Sequence, residues 1–109
     1  MDAAYALLGS ADRRQLLYKL RQTDRASVAE LALLIARHRE TESSLEEAQQ
    51  HAYISLVHNH LPRLADHDVL EYDLRSGDVV PASGFAELEA LLEQFSETEE
   101  MAVSPTQVS

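Results

Sequence analysis

The stretch from His58 to Ala82 constrains the fold most, because it joins the end of a helical pattern to two short strand patterns. Residues 69–74 (VLEYDL) alternate between apolar and polar side chains, and residues 79–81 (VVP) form a second short apolar run. Residues 75–78 (RSGD) supply the turn, in which Gly77 is free to adopt a positive φ. The pattern predicts a β-hairpin directly after a helix.

Two helices are predicted in the first third of the chain. The first runs from about Ser10 to Gln22, with leucines on one face. The second begins at Ser27 and ends near Arg39. Ser27 and Glu30 have the spacing of a capping box, in which each side chain bonds to the other residue's backbone N–H.

A third, longer helix is predicted to start at Leu45, after a serine cap at Ser43 or Ser44. Four apolar residues share one face of it and are expected to point into the core: Tyr53, Val57, Leu61 and Leu64. Pro62 lacks a backbone N–H, so the helix is expected to bend there or to restart for one final turn.

A fourth helix is predicted over residues 83–95, followed by an acidic segment without periodicity, 96–109, that we expect to be disordered. The helix carries an apolar seam of four residues: Phe85, Leu88, Leu92 and Phe95. This seam either covers the core of its own domain or pairs with a second copy across a two-fold axis. We favour the second interpretation, a homodimer.

The order helix, helix, helix, hairpin, helix predicts an α+β fold of the winged helix-turn-helix class. It has a three-helix core, a two-stranded β-hairpin wing and a C-terminal amphipathic helix. A chain of 109 residues with 45% apolar content suffices for one such domain, expected over residues 1–95, and a tail.

The net charge of −10 is unfavourable for a nucleic-acid partner, since affinity for DNA depends largely on neutralising phosphates. The charge is unevenly distributed, however. Residues 1–39 carry seven basic and four acidic side chains, residues 40–75 two and eight, and residues 76–109 none and seven. The first third is therefore net positive, and the acidity belongs to the rest of the chain.

Lys19 is the only lysine, whereas eight of the nine basic residues are arginine. An acidic excess with almost no lysine is typical of surfaces adapted to very high salt, where carboxylates hold water and cations. This composition predicts a protein adapted to very high salt, and the alternative is an ordinary acidic protein. Neither a basic leader followed by an apolar run nor an apolar stretch of membrane-spanning length is present, so a cytoplasmic location without membrane contact is expected.

A winged helix reads base edges with the outward side chains of its third helix. The candidates for base contact in this chain are Ser55, His58, Asn59 and Arg63. The candidates for contact with the DNA backbone are Arg37, Arg39 and Arg75, with Arg13 and Arg14 as further possibilities from the first helix. An alternative interpretation is that all of these are ordinary solvated side chains.

Metal binding and catalysis are not expected. His58 and His60 are two residues apart, whereas a helical ligand pair needs a separation of three or four. His60 lies at the margin of the apolar face and is expected to be a buried histidine with a hydrogen-bond partner. There is no cysteine and no recognisable nucleophile motif, so we predict no enzyme activity, no cofactor and no metal.

Three segments of the chain resemble a family of small haloarchaeal winged-helix proteins described as predicted transcriptional regulators. They are LLGSADRRQLLYKL (7–20), SVAELALLIA (27–36) and ISLVHNHLPRLADHDVLEYD (54–73), within a resemblance that covers about residues 5–82. The chain is also similar, more widely, to ArsR-like regulators, whose pattern His60, Leu61 and Leu64 match. The cysteine ligands of the metal-sensing members are absent, and Pro62 departs from the wider group.

The resemblance implies a transcriptional regulator. Together with the predicted fold, it leads us to expect a homodimer that binds double-stranded DNA through its third helix. The alternative is a winged helix that acts as an adaptor between proteins, without direct contact to DNA.

Overall fold

The computed structural model describes residues 3–38 and 44–108, and the side chains of residues 4–38 and 44–96. The fold is mixed α+β and mostly helical, with one three-stranded antiparallel sheet. In chain order the elements are α1 (Ala3–Leu7), α2 (Ala11–Thr23), β1 (Ala26–Ser27), α3 (Val28–His38), α4 (Leu45–Ser55), a π-helical turn (Leu56–His60), α5 (Leu61–Asp66), β2 (Leu70–Asp73), β3 (Asp78–Pro81) and α6 (Phe85–Val108).

Serine caps fix the starts of the three main helices of the first half. The Ser10 hydroxyl accepts from the backbone N–H of Arg13 at 3.3 Å, and the Ser44 hydroxyl accepts from that of Glu47 at 3.1 Å. At α3 the bonds are reciprocal: Glu30 N–H to Ser27 Oγ at 3.0 Å, and Ser27 N–H to Glu30 Oε1 at 2.9 Å. The capping box predicted from the sequence is confirmed.

The third helix runs through α4, the π-helical turn and α5 without a break in its helical backbone. Within the turn the N–H of Leu61 bonds to the carbonyl of Leu56, five residues back, instead of four. Pro62 explains this widening, because it has no N–H to donate to His58 and its ring would crowd that carbonyl in a regular α-helix. The predicted disturbance at Pro62 is confirmed as one extra residue in the preceding turn.

This extra residue changes which side of α4 faces the core. Leu56 is fully buried and so is Ala52, whereas Tyr53 is 41% exposed and Val57 only half-buried. Counting back from Leu61 in regular α-helical steps leads to Val57 and Tyr53, but a step of five leads to Leu56. The prediction that Tyr53 lies in the core was therefore wrong by one residue, and Tyr53 joins the outward side.

The sheet has three strands in the order β1-β3-β2, not two as predicted. β2 and β3 form the expected hairpin, with Tyr72 opposite Val79, and Gly77 in the turn has a φ of 81°. β1 pairs with the other edge of β3, with Ala26 opposite Val79. The N–H of Val28 also donates to the Gly77 carbonyl at 2.8 Å, so the turn of the hairpin is tied to the start of α3.

The last helix is longer than predicted. α6 begins at Phe85 and continues to Val108, where the sequence had indicated an end near Phe95. Residues 96–104 contain neither glycine nor proline, so the sequence holds no strong signal that would stop the helix at Phe95. The disorder expected of residues 96–109 stays a prediction.

One continuous core joins these elements and includes the first part of α6 as far as Leu92. Its largest fully buried side chains are Leu8, Leu16, Leu17, Leu20, Val28, Leu31, Ile35, Leu56, Leu61, Leu64, Leu70 and Leu92. The leucines of α2 lie at its centre, as the spacing of the first predicted helix requires.

Gly84 lies where the start of α6 meets the backbone before β2. A Cβ at this position would lie 2.8 Å from the Asp68 carbonyl oxygen and 3.0 Å from that of His67, and backbone atoms cannot rotate away. We expect Gly84→Ala to lower the free energy of unfolding by about 1–3 kcal/mol in urea denaturation. Gly9→Ala is the control, since its nearest neighbour would be at 3.4 Å. Equal stability of the two variants would contradict this packing.

Candidate nucleic-acid interface

Asn59 and Arg63 form the polar centre of the exposed side of the third helix. Both side chains are exposed, and Arg63 Nε donates to Asn59 Oδ1 at 3.3 Å. The bond leaves the Asn59 amide NH₂ and the terminal nitrogens of Arg63 available, which are donors suited to base edges and phosphates. The structure thus brings together two of the four predicted base-contact residues.

The other two candidates have different surroundings. His58 is exposed next to Asn59, whereas Ser55 is half-buried and carries its small hydroxyl close to the helix surface. Ser55 immediately precedes Leu56. The π-helical turn rotates Leu56 into the core relative to the sequence prediction, and Ser55 turns with it. Ser55 is therefore the weakest member of the predicted set.

The α4 helix exposes more apolar surface than expected. Leu45 is 47% exposed and Ile54 is 56% exposed, in addition to Tyr53. Ile54 was not among the residues predicted to form a site. Tyr53 is exposed next to Ile54 because of the one-residue shift at the π-helical turn, which the sequence pattern did not indicate.

The predicted backbone contacts lie at two separate elements. Arg37 is exposed in the last turn of α3, and Arg75 is exposed in the turn of the hairpin, where its backbone N–H donates to Asp73 Oδ1 at 2.9 Å. Arg39 lies outside the described residues. A groove between α2 and α3 adds Lys19, which was not among the predicted backbone contacts, beside Arg37 and the acidic Glu30.

The acidic residues around the hairpin are partly engaged within the molecule. Arg25 Nη1 donates to Asp78 Oδ2 at 2.8 Å, which ties the segment before β1 to the start of β3. Both side chains are well exposed, so this ion pair adds little to stability. It does neutralise one of the carboxylates that would face a phosphate backbone, while Glu71 remains exposed.

Arg13 is not a surface cation, so its suggested role as a phosphate contact was wrong, whereas Arg14 is half-buried. Arg13 is only 8% exposed, with Nε donating to the Leu7 carbonyl at 2.6 Å and Nη2 to the Ala6 carbonyl at 3.1 Å. Arg14 donates to the Leu8 carbonyl at 2.7 Å. Both guanidinium groups thus donate to carbonyls at the end of α1 and just after it, where the helical hydrogen-bond pattern runs out.

His60 is buried, as the sequence predicted, and belongs to a polar cluster between α2 and the π-helical turn. Its Nδ1 lies 3.3 Å from Arg13 Nη1 and its Nε2 lies 3.9 Å from Asp12 Oδ2. Burial lowers the pKa of the Arg13 guanidinium; the charge of Arg63 lowers this pKa further, and that of Asp12 opposes both effects. The cluster has a structural role, because it is enclosed rather than presented to a ligand.

The apolar seam of α6 packs within its own chain. Phe85, Leu88 and Leu92 are buried in the core, and Phe95 is half-buried with the Arg14 guanidinium 5.1 Å from its ring centre. The seam therefore covers the core of its own domain, as in the first of the two interpretations, and does not pair with a second copy. A two-fold contact between copies of the chain would have to use other side chains, because these are already covered.

Among the described side chains, no three histidine, aspartate or glutamate residues lie together in a way that could hold a metal ion. The described helices also include none that is both long and apolar enough to cross a membrane.

The described residues thus form a small α+β domain that exposes one long helix on a compact core with a three-stranded sheet. Residues 5–80 match the family model described as a domain of unknown function (DUF7344), and the chain belongs to this family. The match extends from α1 into β3 and ends before α6. No curated protein and no solved structure matches the chain.

Proposed function

We propose that this chain is a winged-helix regulator of transcription in a halophilic archaeon, which binds duplex DNA in the cytoplasm as a homodimer. The observation that carries the proposal is the order helix, strand, helix, helix, strand, turn, strand over α2 to β3, with the strand order β1-β3-β2. A winged helix has this arrangement. Its third helix enters the major groove, and its hairpin lies beside the DNA backbone.

The distribution of polar groups supports the third helix as the reading element. Asn59 offers an amide that can pair with adenine, and Arg63 offers a guanidinium for guanine or phosphate. Arg37 and Arg75 are both exposed. Arg37 lies on α3, which precedes the third helix in the chain, and Arg75 lies in the hairpin that follows it. The hairpin contributes Arg75 as its only basic residue, so recognition depends mainly on the helix.

High salt makes such binding compatible with a net charge of −10. At molar ionic strength the Debye length is about 3 Å, so repulsion between carboxylates and phosphates is screened over very short distances. Short hydrogen bonds from Asn59 and Arg63 are much less affected. Affinity is therefore expected to change little between moderate and molar KCl, unlike the steep loss seen with strongly basic proteins.

The experiment measures binding of genomic duplex fragments in a KCl series that extends to molar concentration. We expect Asn59→Ala to reduce the preference between sequences about 10- to 100-fold, because it removes a base-edge contact. Arg63→Ala should weaken all sequences to a similar extent if it contacts phosphate. Gln22→Ala, an exposed polar residue of α2, is the control and should leave both quantities unchanged.

A second candidate function is that of a protein adaptor, and one specific observation favours it. Leu45, Tyr53 and Ile54 expose apolar surface on the same helix, within a surface that is otherwise acidic. Tyr53 and Ile54 are adjacent, and contiguous exposed apolar surface is typical of protein interfaces. Absence of duplex binding at every salt concentration would favour the adaptor over the regulator.

A further inference from the structure

Three of the five large apolar side chains that are strongly exposed in the described part of the chain lie on α4: Leu45, Tyr53 and Ile54. They are not part of the core, which α4 reaches through Ala48 and Ala52. Ile54 is the most exposed of the three, with 56% of its surface accessible. An isoleucine this exposed contributes little to folding. Any contribution that it makes to function comes from its contacts in a complex.

Ile54 lies in the row of side chains that leads to the polar centre of the helix. The π-helical turn that follows Ile54 contains five residues instead of about four, so Ile54 lies about one turn before the exposed His58 and Asn59 on the outward side. If Asn59 and Arg63 meet base edges, Ile54 lies about one helical turn earlier on the surface that enters the groove.

The major groove presents one apolar group on its base edges, the C5-methyl group of thymine. The other base-edge groups are hydrogen-bond donors and acceptors, which an isoleucine would leave without partners. We propose that Ile54, assisted by Tyr53, recognises thymine C5-methyl groups and so sets part of the sequence preference. This inference rests on the proposed function and adds the class of base that the apolar part of the helix selects.

The test compares duplexes that differ only in this methyl group. Fluorescence anisotropy in molar KCl is measured with an A·T-rich duplex and with the same duplex containing uracil in place of thymine. A second pair contrasts cytosine with 5-methylcytosine in a G·C-rich duplex. We expect the wild-type protein to bind each methylated duplex about three- to tenfold more tightly, which corresponds to burial of one or two methyl groups.

The matched variants are Ile54→Ser and Leu74→Ser. Leu74 follows β2 and is 50% exposed, so its loss removes a comparable amount of exposed apolar surface from a different element. Ile54→Ser should bind thymine and uracil duplexes equally, whereas Leu74→Ser should keep the wild-type ratio. Both residues are exposed, so thermal unfolding of both variants should resemble that of the wild type and would reveal any loss of folding.

Equal binding of thymine and uracil duplexes by the wild type would overturn this inference while leaving the proposed function intact. No binding to any duplex would overturn both. Self-association of the wild type that Ile54→Ser abolishes, without any thymine preference, would assign the apolar side of α4 to a second copy and would also overturn the inference.

Discussion

Leu56→Ala is expected to lower the free energy of unfolding by about 2–5 kcal/mol, because it removes a fully buried side chain and leaves a cavity. Tyr53→Ala, three residues earlier, removes a larger side chain but one that is 41% exposed, and should cost less than about 1 kcal/mol. The measurement is urea denaturation of both variants in molar KCl, followed by far-ultraviolet circular dichroism.

Comparing the losses of unfolding free energy in these two variants tests the π-helical turn itself. In a regular α-helix counted back from Leu61, Tyr53 would face the core and Leu56 would lie at the edge. A larger loss for Tyr53→Ala than for Leu56→Ala would therefore show that the extra residue in the turn is absent in solution.

Arg13→Met is expected to lower the free energy of unfolding by about 3 kcal/mol. The methionine can fill much of the volume but cannot donate, so the Ala6 and Leu7 carbonyls and His60 Nδ1 would all lose a partner. Arg13→Lys should rescue little, because an ammonium group cannot reproduce the planar fork of donors that serves these acceptors. Thermal and urea denaturation provide the measurement.

Arg37→Met is the matched control for Arg13→Met, since Arg37 is exposed at the end of α3. Its stability should stay within about 0.5 kcal/mol of the wild type. Equal losses for the two methionine variants would mean that the buried position of Arg13 has no energetic consequence, contrary to the contacts around it.

Local features were well predicted by the sequence because their causes are local. The capping box at Ser27 and Glu30 requires only four consecutive residues, and the structure has both of its bonds. The hairpin turn needed a residue that tolerates a positive φ, and Gly77 provides it. The buried His60 was also predicted, from its position at the margin of an apolar face.

The features that escaped prediction depend on contacts between distant segments. β1 contains only two residues, too short for an alternating pattern, and exists because Ala26 pairs with Val79. The burial of Arg13 depends on α1 folding back so that its carbonyls meet the guanidinium. An arginine near the start of a helix carries no sequence signal that separates an internal partner from a phosphate.

Part of the candidate site was predicted from the sequence because its cause is also local. Asn59 and Arg63 are four residues apart on a helix, so their proximity follows from helical geometry alone. Tyr53 was misplaced because a proline nine residues later changed the number of residues in an intervening turn. The regular α-helical spacing of apolar residues does not indicate this change. Pro62 is the only sign in the sequence that the spacing fails near this point.

The short strand β1 also has a mechanical consequence. The hairpin is held along β3 by β1, at its turn by the bond from Val28 to Gly77, and beside it by the pair of Arg25 with Asp78. The backbone bonds from β1 and Val28 join the hairpin to the start of α3, whereas the exposed pair of Arg25 with Asp78 adds little. In the proposed complex with DNA, the distance between the hairpin and the helices would therefore be set by the fold, and the spacing of their contacts would be fixed before any base is recognised.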